Sequence, residues 1–271
     1  MNFKIIIFMV LLFYINIQHA YSNDSFEGLS FIHVTPYNSS KVIKSVYADV
    51  LSHIKPQLIE STNSRYTDVH ETGHYIHNEL RNYYRKILYK PVNVFYCLKN
   101  KAVIIDEPPN IKIRHIKNYI PEILKSSRYK LYMVDQIQHW DDTPTYILDE
   151  WNCYILGAEC AIDDYNNNLP LEKTNAVSGA LEFSIYTAAF ALAIKNINPV
   201  FWENNTQLKC FIKYNLIRAE KVFNTGSGIE HFHYGEQDRL LQALLKHPDA
   251  QGIRDFLKLE FDGIFVDYNK K

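Results

Sequence analysis

The chain reads as an α+β fold, mostly helical, with a small mixed sheet and a helical C-terminal part. Three observations predict it. Across 65–88 the apolar residues Tyr66, Val69, Ile76, Leu80, Tyr83 and Ile87 recur at three-four spacing, the stripe of a helix lying against a core. Residues 92–98 and 102–106 are rich in β-branched and aromatic side chains and flank Lys99-Asn100-Lys101, the pattern of a hairpin. From 171 onward, apolar and amphipathic runs of helical period dominate.

The elements follow in order. Lys4, the apolar run at 5–15 and the small residues of Ala20-Tyr21-Ser22 have the make-up of a signal peptide over 1–22, cleaved after Ser22. The run is short for a membrane anchor. The expected location is thus secreted or periplasmic, with no stable membrane span once the leader is gone. Residues 23–271 suffice for one large domain or two small ones. The expected division is 23–170, then a helical region at 171–271 packed on it. Lys and Arg number 29 against 30 Asp and Glu, so nothing in the charge points to nucleic acid or an anionic membrane.

Residues 28–36 read as a first strand. Asn38-Ser39-Ser40 then caps a helix to about Ile54, ended by Pro56. The hairpin after the 65–88 helix stops at Glu107-Pro108-Pro109-Asn110, and 128–134 is a further strand candidate. Trp140-Asp141-Asp142-Thr143-Pro144 delivers the chain to a helix over 146–161, closed by a polar turn at 163–168 whose acids lack calcium-loop spacing. A long apolar helix occupies 171–195. It has the length of a membrane span, but Glu182, Ser178, Ser184 and Thr187 mark it as the buried helix of a folded domain. Helices at 207–222, 235–245 and 249–257 complete the chain.

Cys97, Cys153, Cys160 and Cys210 all lie beyond the leader, and an even count in an oxidising compartment permits two disulfides. Cys153 and Cys160, two turns apart on one helix, cannot pair with each other. Their partners would be Cys97 and Cys210; buried free thiols fit the count equally well.

The chemistry-bearing stretch is His70-Glu71-Thr72-Gly73-His74, inside the 65–88 helix. Helical positions four apart lie one above the other, so His70 and His74 can share one metal ion. Glu71, offset round the helix, stays off the metal but reaches a water held in its open position, and can take that water's proton. Gly73 weakens the helix by about 1 kcal/mol relative to Ala, and its bare Cα admits another segment or a substrate. His77, about 10 Å along the axis from His70, lies too far to share the same ion. It reads as a half-buried histidine, with support of the site or a substrate contact as alternatives.

This motif resembles the active-site helix of the zincin metallopeptidases. The Gly and third His that extend the motif in metzincins do not follow His74, so the likeness is to the gluzincin branch, where a Glu on a later helix completes the site. Glu150, flanked by Ile147, Leu148, Trp151 and Tyr154, is the most strongly embedded acid and is assigned as that ligand. Asp149 is the alternative, and the bland reading is a solvated acidic pair at a helix start. Cys153 lies one turn further along, and Asn152 or Glu159 would orient a ligating His. The resemblance implies a zincin-like catalytic domain at 23–170, a bound Zn2+, Glu71 as general base, and a peptide or protein substrate. It also implies a sheet edge lining the cleft and an oxyanion donor. For the donor, Tyr146 and His231 are the leading residues, with His233 and Tyr234 of the Gly-rich loop at 224–234 beside them. The alternative function is a catalytically inert, zincin-like binding or interaction protein.

Overall fold

The computed structural model describes residues 26–38, 45–58, 62 and 64–267. Residues 1–22, expected as a leader, and the cleavage point expected after Ser22 lie outside them. In chain order the main elements are β1 (Ile32–His33), α1 (Val46–Leu51), α2 (Arg65–Leu88), β2 (Val92–Tyr96) and β3 (Lys101–Asp106). They are followed by α3 (Tyr146–Asn166), α4 (Ala176–Ile197), α5 (Thr206–Gly226), α6 (Gln237–Lys246) and α7 (Gln251–Phe261). The fold is mostly helical α+β. Among the described residues the sheet has the order β1-β3-β2 and is antiparallel throughout, with Ile32 opposite Ala102 and Val94 opposite Ile104.

Helix α3 lies between α2 and α4, and the sheet covers α2. Tyr66, Val69 and Ile76 turn inward from α2 and Leu80 is half-buried, as the apolar stripe requires. The last two turns run past the core. Tyr83 is 57% exposed and Ile87 45%, so the stripe ends earlier than its spacing predicts. The core is continuous across residue 170: Trp151 of α3 donates from Nε1 to Ala180 O at 3.2 Å and Ser184 Oγ at 3.1 Å on α4.

Helix α4 is long and apolar enough to cross a membrane, yet 94% of its apolar window is buried inside the protein. Glu182 at its middle is wholly buried, which an isolated carboxylate could not sustain. Arg128 Nη1 meets Glu182 Oε2 at 2.8 Å, Tyr186 donates to Oε1 at 2.6 Å, and Ser126 Oγ donates to the same oxygen. Arg128 also donates to Tyr154 Oη at 3.2 Å and to the Asn175 carbonyl at 3.0 Å.

Several boundaries differ from expectation. The first helix begins at Val46, with Ser45 accepting from Ala48 N at 3.1 Å as its cap. Residues 39–44, where its start was expected, lie outside the described residues. The first strand shrinks to Ile32–His33. Residues 128–134 form no strand; Tyr129–Asp135 is a π-helix that buries Tyr129 and Met133 and leaves Leu131 and Val134 at the surface. Strand preference is set by context, and this segment pairs with none of the three strands. Helix α3 continues through the expected turn to Asn166 because Asp164 is buried and paired with Arg65 at 2.8 and 3.0 Å. Helix α4 starts at Ala176, five residues later than its apolar composition predicts. All four cysteines are free thiols.

Gly179 of α4 is a close-packing position: a Cβ there would fall 2.2–2.7 Å from three atoms of the Tyr154 ring. Gly179→Ala should therefore lose about 1–3 kcal/mol in denaturant unfolding, even though alanine is the better helix former. Gly252, in the first turn of α7 with nothing within 4 Å of its missing Cβ, is the control. Gly252→Ala should gain up to ~1 kcal/mol. Equal effects at both positions would show that packing at Tyr154 does not govern the interface.

Candidate metal centre

The site forms where α2 crosses α3. A Cβ on Gly73 would lie 2.9 Å from Cys153 Sγ and 3.3 Å from Leu156 Cδ1, so the missing side chain is what lets the helices approach. His70 and His74, one turn apart, then face Glu150 of α3. Their Nε2 atoms are 3.1 Å apart, and each lies 3.6 Å from Glu150 Oε2. A tetrahedral ion with bonds of about 2.0–2.1 Å holds its ligand atoms roughly 3.3–3.5 Å apart, so this triangle fits one ion.

The two oxygens of Glu150 differ. Oε1 accepts from Tyr146 Oη at 2.5 Å. Oε2 is buried and has no hydrogen-bond partner. Burial alone would raise the Glu150 pKa, but His70 and His74 outweigh it and bring it down to about 2. An ionised, buried oxygen without a donor costs free energy that a cation at the centre of the triangle would remove.

A second layer orients these groups. His74 Nδ1 lies 3.3 Å from Asp149 Oδ1, and His77 Nδ1 bonds to the same oxygen. The other nitrogen of His77 accepts from Asn152 Nδ2 at 3.2 Å. The amide of Asn152 is itself fixed, because its Oδ1 accepts from Asn215 at 3.2 Å and Arg218 at 3.0 Å. His77 is therefore the Nδ1–H tautomer, fully buried, with its pKa lowered by that burial. A carboxylate on the second nitrogen of a ligating histidine fixes its ring and raises its basicity. Asp149 thus sits behind His74, and His77 behind Asp149, a buried support that the sequence offers only as an alternative for His77.

Two groups among the described residues are able to hold a metal ion: His70, His74 and Glu150, and His74, His77, Asp149 and Cys153. They share His74 through opposite nitrogens. In the second group the Asp149 oxygen is taken by histidine, His77 by Asp149 and Asn152, and burial pushes the Cys153 thiol up to about 12. Only the first group leaves an orphaned carboxylate oxygen, and only the first has all of its members in the lining of a cleft.

That cleft encloses about 440 Å³. His70, Glu71, His74, Asn78 and Arg81 of α2 form one side; Tyr132 and Gln136, from the π-helix and its cap, form the other with Trp140 and Tyr146. Trp140 stacks on Tyr146 with ring centroids 4.0 Å apart, and Tyr132 Oη lies 3.3 Å from Tyr154 Oη. Glu71 is exposed at the mouth. No strand residue lines this space, so the expected sheet edge is replaced by the π-helical wall. Tyr146 reaches the site. His231, His233 and Tyr234 instead line a separate pocket of about 520 Å³ beside Ser64, Thr67 and Asn175. Tyr132 was missed because its segment reads as a strand. A larger cavity of about 650 Å³, bordered by Lys99, Lys101, Tyr214 and Arg218, has no histidine in its lining.

No protein-family model matches this chain, and neither a curated protein nor a solved structure does. The chemistry of the site rests on its own geometry.

Burial opposes protonation of His74, but its acidic surroundings raise its pKa well above the ordinary histidine value. Asp149 is the effective influence at neutral pH, since Cys153 is then a neutral thiol. Below that raised pKa a metal must displace a proton from His74, so uptake strengthens as pH rises. Calorimetry of zinc binding at pH 7 in buffers of different ionisation enthalpy should show about one proton released per ion; a buffer-independent enthalpy would contradict the assignment.

Proposed function

We propose that this protein is an exported zinc-dependent metallopeptidase that hydrolyses peptide bonds in the cleft between α2 and the π-helical wall. The observation that carries the reading is the convergence of His70 Nε2, His74 Nε2 and the orphaned Oε2 of Glu150 on one point. Two imidazoles and one carboxylate on a tetrahedral centre, open to a cleft, suit Zn2+ better than the harder cations, which take all-oxygen sets. When bound, zinc supplies a Lewis acid that makes a water nucleophilic near neutral pH and polarises a carbonyl.

The remaining work falls to the chain's own side chains. Glu71 follows His70 on α2 and lines the same cleft, so its carboxylate is placed to accept a proton from the attacking water and pass it to the leaving nitrogen. Tyr146 donates its hydroxyl proton to Glu150 Oε1 and so fixes which oxygen faces the histidines. Its role is therefore to hold a ligand. Tyr132 lines the cleft with its hydroxyl 3.3 Å from that of Tyr154, and it would donate to the negative charge that develops on the carbonyl oxygen. Asp149, backed by His77 and Asn152, keeps the Nε2 of His74 turned inward.

Elemental analysis of the purified protein should find one zinc per chain, lost in His74→Ala and Glu150→Ala. Glu71→Gln should keep the zinc and lose peptide hydrolysis by about 10²–10⁴-fold. Full zinc occupancy in Glu150→Ala would remove that residue from the site. Undiminished hydrolysis by Glu71→Gln would end the proposed mechanism.

A further inference from the structure

We propose that Arg81 determines specificity, selecting substrates that carry a carboxylate about two residues from the bond that is cut. This deepens the peptidase reading and rests on it. His70, His74, Asn78 and Arg81 succeed one another at steps of four, four and three residues, so they line one face of α2 and form the length of the cleft. Arg81 is the only Lys or Arg in that lining. It is half-buried, it donates to Asn78 Oδ1 at 2.5 Å, and among the described residues no carboxylate pairs with it.

Helical side chains lean toward the N-terminus, and the bond to Asn78 places the guanidinium over that residue, one turn past His74. Four residues of helix advance about 6 Å. An extended peptide lying along α2 advances about 3.3 Å per residue, so the charge meets the second residue from the scissile bond. Asn78 occupies one of the five guanidinium donors and restrains the side chain, leaving the fork able to grip a carboxylate with two parallel bonds. Asp149 and Glu150 gather around the histidines and Glu71 follows His70, whereas Arg81 stands beyond them toward the C-terminus of α2. The cationic side chain of the lining is thus the group that meets an acidic substrate group, at the Arg81 end of the cleft. An Asp or Glu side chain and the substrate's own C-terminal carboxylate share this chemistry.

The test is calorimetric binding to the zinc-loaded protein of three short peptide hydroxamates, which need no turnover. One carries Glu two residues from the chelating group and an amidated end, one a neutral residue with a free C-terminal carboxylate, and one is neutral and amidated. The expected result is at least tenfold tighter binding of one or both carboxylate probes over the neutral one. Whichever binds tighter identifies the source of the carboxylate. Arg81→Ala should bring all three within about threefold at unchanged zinc content, and Arg81→Glu should favour the neutral probe. Equal binding of the three by the unmodified protein, or a preference that survives Arg81→Ala, would overturn the role of Arg81 and leave the peptidase reading standing. A protein that takes up no zinc would overturn both.

Discussion

Helices α2 and α3 meet at Gly73, where the space left by one missing side chain is filled by the sulfur of Cys153. That contact sets the distance between the two histidines on one helix and the two acids on the other. With the helices this close, Glu150 faces the Nε2 atoms while Asp149, one residue earlier and 100° round the helix, reaches the opposite nitrogen of His74. Adjacent carboxylates thus serve different purposes because the helix separates them. Moved outward by the thickness of a methyl group, α3 would leave Asp149 and His77 buried without each other.

Buried polar groups make this arrangement costly unless all are satisfied, and nearly all are. Asp149, His77, Asn152, Asn215, Arg218 and Glu159 form one connected set running from the candidate metal centre to α5. Each member has its partner chosen by its neighbour, down to the tautomer of His77 and the orientation of the Asn152 amide. Such a network is stabilising only when complete. Among the few buried atoms left unpaired, Glu150 Oε2 stands out because it is a carboxylate oxygen facing two imidazoles.

The motif helix was legible in the sequence because its period and its histidine spacing are local properties, readable within two turns. Glu150 drew notice for a different reason, as an acid set among apolar neighbours, although it is not the most embedded one: Glu182, Asp164, Asp49 and Asp68 are buried more deeply. The π-helical wall was not, since Tyr129, Leu131 and Met133 alternate as a strand would, yet the segment pairs with no strand of the sheet. His231 looked reactive because it sits in a Gly-rich loop, but the path of a loop across the surface depends on where its flanking helices dock. The long run of α3 past Asp163 depended on Arg65, 99 residues away, which no local pattern could announce.

Arg128 stands at the base of the π-helix, and its ion pair with Glu182 has a mechanical side. Swinging the wall that bears Tyr132 away from α4 would strand a carboxylate in a dry core, at a cost of about 3–5 kcal/mol. An open form would then be populated at roughly one part in 10²–10⁴. The entrance is in this sense an aperture of set width, unlike a lid that closes over its cargo. On the peptidase reading proposed above, such an aperture would admit a slender, unfolded chain and turn away a compact surface.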